Sequence, residues 1–171
     1  MSPIISVFGL SRAAEASDEY RLAQELGAAM AQAGFAVATG GYGGTMEAVS
    51  RGAKQAGGRV IGVVASDIST KANQWVEETI VVPQWEDRLM KLILLGDGYV
   101  ALPGGTGTLV ELAVAWEMIH KGLLPPKPLV ALGEFWRPVI TQIESADANS
   151  RGLVRIASSV AAAVDALRCS L

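Results

Sequence analysis

Glu111 closes the segment with the clearest chemical potential in this chain. In Leu102-Pro-Gly-Gly-Thr-Gly-Thr-Leu-Val-Glu111, three glycines and two threonines are compressed ahead of one carboxylate. Glycine is needed where backbone must come into contact with a ligand, and adjacent N–H groups then form a concavity that binds anions. Tyr99 to Leu102 reads as a buried strand, and Leu109, Leu112, Ala113 and Trp116 recur at i, i+3, i+4 and i+7 of a helix. The glycines therefore fall where a strand ends and a helix begins, with unpaired N–H groups and a positive dipole end. Gly104, Gly105, Thr106, Gly107 and Thr108 are read as backbone donors for a phosphate, and Glu111, one turn on, as the group acting on the ligand.

A second cradle has the same order. Thr39-Gly-Gly-Tyr-Gly-Gly-Thr-Met-Glu47 again separates a strand-like run from a helix and brings Gly40, Gly41, Gly43, Gly44 and Thr45 to a strand end. Neither loop fits the dinucleotide fingerprint Gly-x-Gly-x-x-Gly or the P-loop, so a mononucleotide or sugar phosphate suits the pattern better than NAD or ATP.

Glu111 also has a purely structural reading, because Thr108-x-x-Glu111 spells a capping box. Phasing the helix on Leu109, Leu112, Ala113 and Trp116 sends Glu111 to the opposite side, beside Val114, Ala115 and Met118, on a face that something else must cover. The helix Trp85 to Leu95 is apolar all round and is expected to be buried, carrying Arg88 with it. A buried arginine needs an anionic partner, which is Glu111, a ligand phosphate or a structural carboxylate such as Glu86. Ser11 and Arg12 follow the first strand within reach of such a ligand, or form a solvated turn. His120 reads as a packed histidine or one facing the helix dipole, and Lys71 and Asn73 carry no readable role.

The elements that must position these groups alternate along the chain. Strands are expected at Ile4 to Phe8, Phe35 to Ala38, Arg59 to Val64, Thr79 to Val82, Tyr99 to Leu102 and Leu129 to Leu132. Helices are expected at Asp18 to Ala33, Met46 to Gln55, Trp85 to Leu95, from the opening motif to His120, at Phe135 to Ser145, and at Ser158 to Leu167. Ala65 to Glu78 has no clean period and reads as a loop with one short helical turn. Nearly all-apolar strands alternating with helices describe a doubly wound α/β fold, a parallel sheet covered on both faces, as a single domain over residues 1–171.

Composition narrows the function classes. The chain is 50% hydrophobic and 18% charged with a net charge of −3, and it has no basic cluster, which argues against a nucleic-acid partner. No apolar run approaches the ~18 residues of a membrane span, so contact with a second subunit is the expected use of the apolar surplus. The single Cys169 fits a reducing cytoplasm, and one His with one Cys leaves no metal-ligand spacing.

Arg88 followed by Pro103-Gly-Gly-Thr-Gly-Thr-Leu-Val-Glu111 resembles the Lonely Guy (LOG) family, long mislabelled as lysine decarboxylases. The resemblance implies a Rossmann-like cytoplasmic homodimer. Such an enzyme hydrolyses the N-glycosidic bond of a purine nucleoside 5′-monophosphate, AMP-like, to free base and ribose 5-phosphate without metal or organic cofactor. It further implies that Arg88 and Glu111 form the catalytic pair. Gly40, Gly41, Gly43, Gly44, Thr45 and residues 104–108 would line the nucleotide site. Three departures mark this chain: Leu89 stands where typical members have lysine, the first loop reads Gly9-Leu-Ser-Arg12, and the second reads Gly-Gly-Tyr-Gly-Gly-Thr-Met-Glu. The rival reading is a non-catalytic nucleotide or cofactor carrier on the same loops.

Overall fold

The computed structural model describes residues 2–171. β1 (Ile4–Phe8), α1 (Asp18–Gln32), β2 (Ala36–Thr39), α2 (Thr45–Gln55), β3 (Val60–Ala65) and β4 (Glu78–Val82) build the first half. α3 (Trp85–Leu95), β5 (Gly98–Ala101), α4 (Thr106–His120), β6 (Leu129–Leu132), α5 (Arg137–Ala146), β7 (Val154–Ala157) and α6 (Val160–Arg168) build the second. All strand pairs are parallel and the order is β4-β3-β2-β1-β5-β6-β7. This is the doubly wound Rossmann-like α/β sheet that the alternation of elements predicts. Among the described residues no helix is long and apolar enough to cross a membrane.

Period-two alternation divides each apolar strand between two cores. Ile5, Val7, Val37, Val60, Val100 and Val130 face α1, α2 and α6, where they meet Leu26, Met30, Val49 and Leu167. Phe8, Ile61, Val63, Tyr99 and Leu129 face α3, α4 and α5 and meet Leu92, Ile93, Leu112 and Trp116. Ser6 lies on the second face, and its hydroxyl donates to the Leu92 carbonyl at 2.7 Å, which satisfies a group that burial would otherwise penalise.

Two expectations about elements need correction. The sequence reading has no strand at Val154–Ala157. As the sheet's outer strand it exposes Arg155 and lacks the unbroken apolar run of a central strand. The segment between β3 and β4 is the expected loop, with one short helical turn where Ile68 and Ser69 N–H donate to Ala65 O at 3.0 and 2.9 Å. α3 is not enclosed on all sides, since Arg88, Leu89, Leu92 and Ile93 are buried while Leu94 is 58% exposed.

α1 and α2 cross at closest approach through two glycines. A Cβ on Gly27 would collide with the Val49 carbonyl, and one on Gly52 with the Gln24 carbonyl. Alanine at an exposed helix position gains ~1 kcal/mol in propensity over glycine. Here that gain meets rigid backbone, and overpacking costs about 1–3 kcal/mol. Gly52→Ala is therefore expected to lower unfolding stability by about 1–2 kcal/mol, read as a lower urea midpoint at unchanged slope.

Candidate functional site

Strand order reverses at the β1–β5 neighbours, so the loops leaving their carboxyl ends diverge and open a crevice there. A cavity of about 370 Å³ occupies that crevice, within the ~300–1,000 Å³ typical of small-molecule sites. Gly9, Leu10 and Ser11 wall it from β1, residues 105–108 and Glu111 from α4, and Trp85, Arg88 and Leu89 from α3. Tyr42, Met46 and Ile68 complete it.

Gly105, Thr106, Gly107 and Thr108 of the first motif line the cavity, Gly104 does not, and the helix starts earlier than Thr108. α4 begins at Thr106 with Gly105 as its cap, so the N–H groups of Thr106, Gly107 and Thr108 have no acceptor within the helix. Gly105, Thr106 and Gly107 are exposed at the cavity. A side chain on Gly104 would collide with Thr108, so this glycine lets the loop fold back on the helix start.

An early start also removes the capping box. Thr108 is the third helical residue rather than the cap, and no side chain caps α4. Glu111 does not face away from the core either. Thr108, Glu111, Leu112, Ala115 and Trp116 form the buried face, whereas Leu109 and Ala113 are exposed. In a helix apolar on every side, periodicity alone does not fix which face turns inward.

Arg88 is buried beside Glu111, with Nη1 3.9 Å from Oε1 and side chains only 7% and 12% exposed. The β2–β3 ladder makes room for it. Thr39 pairs with Gly62, and there β2 ends, while β3 runs on to Ala65. Gly41 N–H turns to the Thr39 hydroxyl at 3.2 Å. The Val63 carbonyl instead accepts from Arg88 Nε at 2.9 Å, with Gly40 O a second acceptor at 3.3 Å. Arg88 Nη2 approaches Met46 Sδ at 3.5 Å, which leaves Nη1 for Glu111 and the cavity. Glu86, the alternative structural partner, is exposed.

Burial pushes the Glu111 carboxyl up to about 7, and the Arg88 charge opposes that rise without cancelling it. Burial likewise lowers the Arg88 pKa, with Glu111 opposing. The Arg88 charge thus favours the carboxylate without outweighing its burial. A carboxyl titrating near neutrality in a crevice is suited to acid–base or electrostatic work.

The second glycine loop is brought to the site but stands behind its wall. Gly40, Gly41, Gly44 and Thr45 are buried and Gly43 is half-buried, and none of the five lines the cavity. A side chain on Gly40 would collide with the Arg88 guanidinium, and one on Gly44, at φ +67°, with the Leu10 carbonyl. Thr45 N–H and hydroxyl both donate to Leu10 O, at 2.9 and 3.2 Å, so the α2 start is already occupied. Similar sequences thus do different work: one loop offers donors to the cavity, and the other receives Arg88.

Of the weaker candidates, Ser11 lines the cavity and Arg12 does not. His120 lies at the far end of α4, with Nδ1 3.3 Å from Glu117 and Nε2 3.5 Å from Asp147. Asn73 acquires a role, because its backbone N–H and Nδ2 bond the Gly41 carbonyl at 2.7 and 3.2 Å, and Nδ2 also bonds Tyr42 O at 2.9 Å. Tyr42 and the apolar wall of Met46, Ile68, Trp85 and Leu89 are cavity residues the sequence reading missed. A tyrosine enclosed by four glycines was the available signal.

The chain is similar to the cytokinin riboside 5′-monophosphate phosphoribohydrolase of Rhodococcoides fascians, with 31% identity over 160 residues, 86% of this chain and 80% of that protein. Among solved structures, the molybdenum cofactor carrier protein of Chlamydomonas reinhardtii superposes with a TM-score of 0.81 at 32% identity, covering 99% of this chain and 98% of that one. The molybdenum cofactor binding protein of Rippkaea orientalis gives 0.79 at 31%, covering 99% and 97%. Because the SLOG cluster4 family profile runs through residues 2–164, and so through every strand that shapes the cavity, the chain belongs to that LOG-type family.

Proposed function

We propose that this protein hydrolyses the N-glycosidic bond of a purine nucleoside 5′-monophosphate, giving free base and ribose 5-phosphate. The observation that carries the reading is the placement of Glu111, a buried carboxyl beside Arg88 and one turn inside the open start of α4. The phosphate is held by the N–H groups of residues 106–108 and the positive end of α4. Glu111 then reaches the ribose. As the bond from C1′ to the base nitrogen breaks, its electron pair leaves with the base and positive charge develops on C1′ and the ring oxygen. The Glu111 carboxylate stabilises that charge, water adds to C1′, and the proton that water releases is balanced by protonation of the departing base nitrogen. Arg88 keeps a share of Glu111 ionised, and the apolar wall of Met46, Ile68, Trp85 and Leu89 takes the base.

A second reading, a non-catalytic carrier of an anionic nucleotide-like cofactor, is favoured by two observations. Leu89 replaces the lysine typical of LOG members, so the cavity wall has one cation fewer, and the molybdenum cofactor proteins share the whole fold at comparable identity. Incubation with a panel of nucleoside 5′-monophosphates and chromatography for free base separates the two. Base release supports hydrolysis, and tight binding with no base from any member of the panel supports the carrier.

The protein is further proposed to form a cytoplasmic homodimer through α3 and α4, where Leu94 and Leu109 are exposed beside the half-buried Met90, Val110, Val114 and Met118. Light scattering is expected to show a dimer at micromolar concentration, and Leu94→Glu a monomer. A wild-type monomer would refute the assembly.

Glu111→Gln is expected to lower kcat by about 10²–10³, the scale of losing one transition-state electrostatic partner. Its stability moves the other way. The folded pKa of about 7 lies above the ordinary 4.5, so the native state binds the extra proton between these values and wild-type stability falls as pH rises through that window. The variant lacks this fall, so the two proteins melt alike near pH 4.5 and the variant melts higher at pH 8.

The pH profile follows from the same group. Since the carboxylate is the working form, kcat/KM is expected to rise through about pH 7 and level off above it, with that limb absent in Glu111→Gln. A profile flat from pH 5.5 to 8.5 would remove Glu111 from the chemistry.

A further inference from the structure

Strong hydrogen bonds hold Arg88 at Nε, and Nη2 has only the weak acceptor Met46 Sδ at 3.5 Å, so the plane of the group needs a further support. Nε donates to Val63 O at 2.9 Å and Gly40 O at 3.3 Å, and these acceptors settle where the guanidinium sits but not how it tilts about that corner. Nη1, the atom nearest Glu111, swings with the tilt. Arg88 Cζ stands over the Tyr42 ring, 5.1 Å from its centroid.

Tyr42 is itself tied down at both ends. Its hydroxyl accepts from Ala65 N–H at 2.9 Å and donates to Ser69 O at 2.9 Å, so the ring tip is anchored to the end of β3 and the segment after it. Its own carbonyl accepts from Asn73 Nδ2 at 2.9 Å. A ring fixed at tip and base presents a rigid π-face, and a cation over such a face in a desolvated site is held by the ring quadrupole. We infer that Tyr42 is the positioning residue that sets the plane of the Arg88 guanidinium, and through it the approach of Nη1 to Glu111.

The consequence is readable in Glu111. Arg88 and Glu111 are the charged residues lining the cavity, Tyr42 is its other titratable residue, and Ser11, Thr106 and Thr108 are neutral. A tilted guanidinium therefore changes the field on the carboxyl with no other side-chain charge in the cavity to mask it. Only the effect on turnover rests on the hydrolase reading, because the position of Arg88 acts on the carboxyl whether or not a substrate is cleaved.

The experiment follows the Glu111 carboxyl by carbon-13 NMR in ligand-free protein labelled at glutamate Cδ, the resonance being assigned by its loss in Glu111→Gln. Arg88→Met is expected to raise the midpoint by about 1–3 units, the usual effect of losing a close opposite charge. Tyr42→Leu raises it by part of that amount, Tyr42→Phe, which keeps the ring but loses its tip anchor, raises it by less than Tyr42→Leu, and Tyr42→Leu with Arg88→Met rises no further than Arg88→Met alone. Tyr42→Met carries the same expectation as Tyr42→Leu where the latter does not fold. A wild-type midpoint in folded Tyr42→Leu or Tyr42→Met overturns the assignment. So does a shift in Tyr42→Phe as large as in Tyr42→Leu, or full additivity in the double variant. If the nucleotide panel yields no base while these shifts appear, the hydrolase reading fails and the positioning role stands.

Discussion

A guanidinium buried at the carboxyl edge of the sheet needs acceptors that regular secondary structure does not leave over, and most of this site's local geometry is the means of supplying them. The β2–β3 ladder stops at Thr39, which frees the Val63 carbonyl for Arg88. Gly40 must lack a side chain because Arg88 occupies that space, and the guanidinium stands over the Tyr42 ring. Asn73 then holds the loop by its carbonyls, which makes the irregular segment after β3 part of the same support. A buried cation costs several kcal/mol in lost solvation, so each of these contacts offsets a penalty rather than adding a surplus.

How far this was legible in the sequence depends on whether the signal was local. Strand-like runs and glycine breaks reveal the five central strands, because central strands of a parallel sheet are apolar throughout, and the β-branched run Thr79 to Val82 reveals the edge strand β4. β7 escaped since an edge strand is covered differently and carries Arg155. The donor loop at residues 104–108 was readable from composition alone, as any helix start after a glycine turn exposes N–H groups. Glu111 was picked for its spacing but given the wrong face, for α4 has apolar residues both outward, at Leu109 and Val110, and inward, at Leu112 and Ala115. Of the second loop's glycines, expected at a ligand, Gly40 makes room for Arg88 and none lines the cavity. Only the tertiary approach of α3, 48 residues later, reveals that demand.

Electrostatics at the pair is a contest of two large terms. At about 4 Å and an effective dielectric of ~20, opposite charges attract by about 4 kcal/mol, and removing a carboxylate from water costs several kcal/mol. With Nη1 and Oε1 3.9 Å apart and no direct hydrogen bond between them, burial wins and the carboxyl rises to about 7. A closer pair would fix Glu111 as a permanent anion, and a more distant one would leave it neutral at physiological pH. The observed spacing keeps it able to change state.

That intermediate state also bears on the choice between enzyme and carrier. A carrier gains nothing from a half-ionised carboxyl facing an anionic ligand, because every ionised copy repels the group that the α4 N–H donors attract. A hydrolase does gain, since the same carboxylate that costs affinity in the ground state stabilises the cation formed as the base departs, and only interactions stronger in the transition state accelerate the reaction. Leu89 works in the opposite direction by removing a cation from the wall. Repulsion between phosphate and Glu111 is then relieved mainly by protonation or by Arg88. The tilt of one guanidinium therefore governs how much of the bound ligand meets a carboxylate and how much meets an acid.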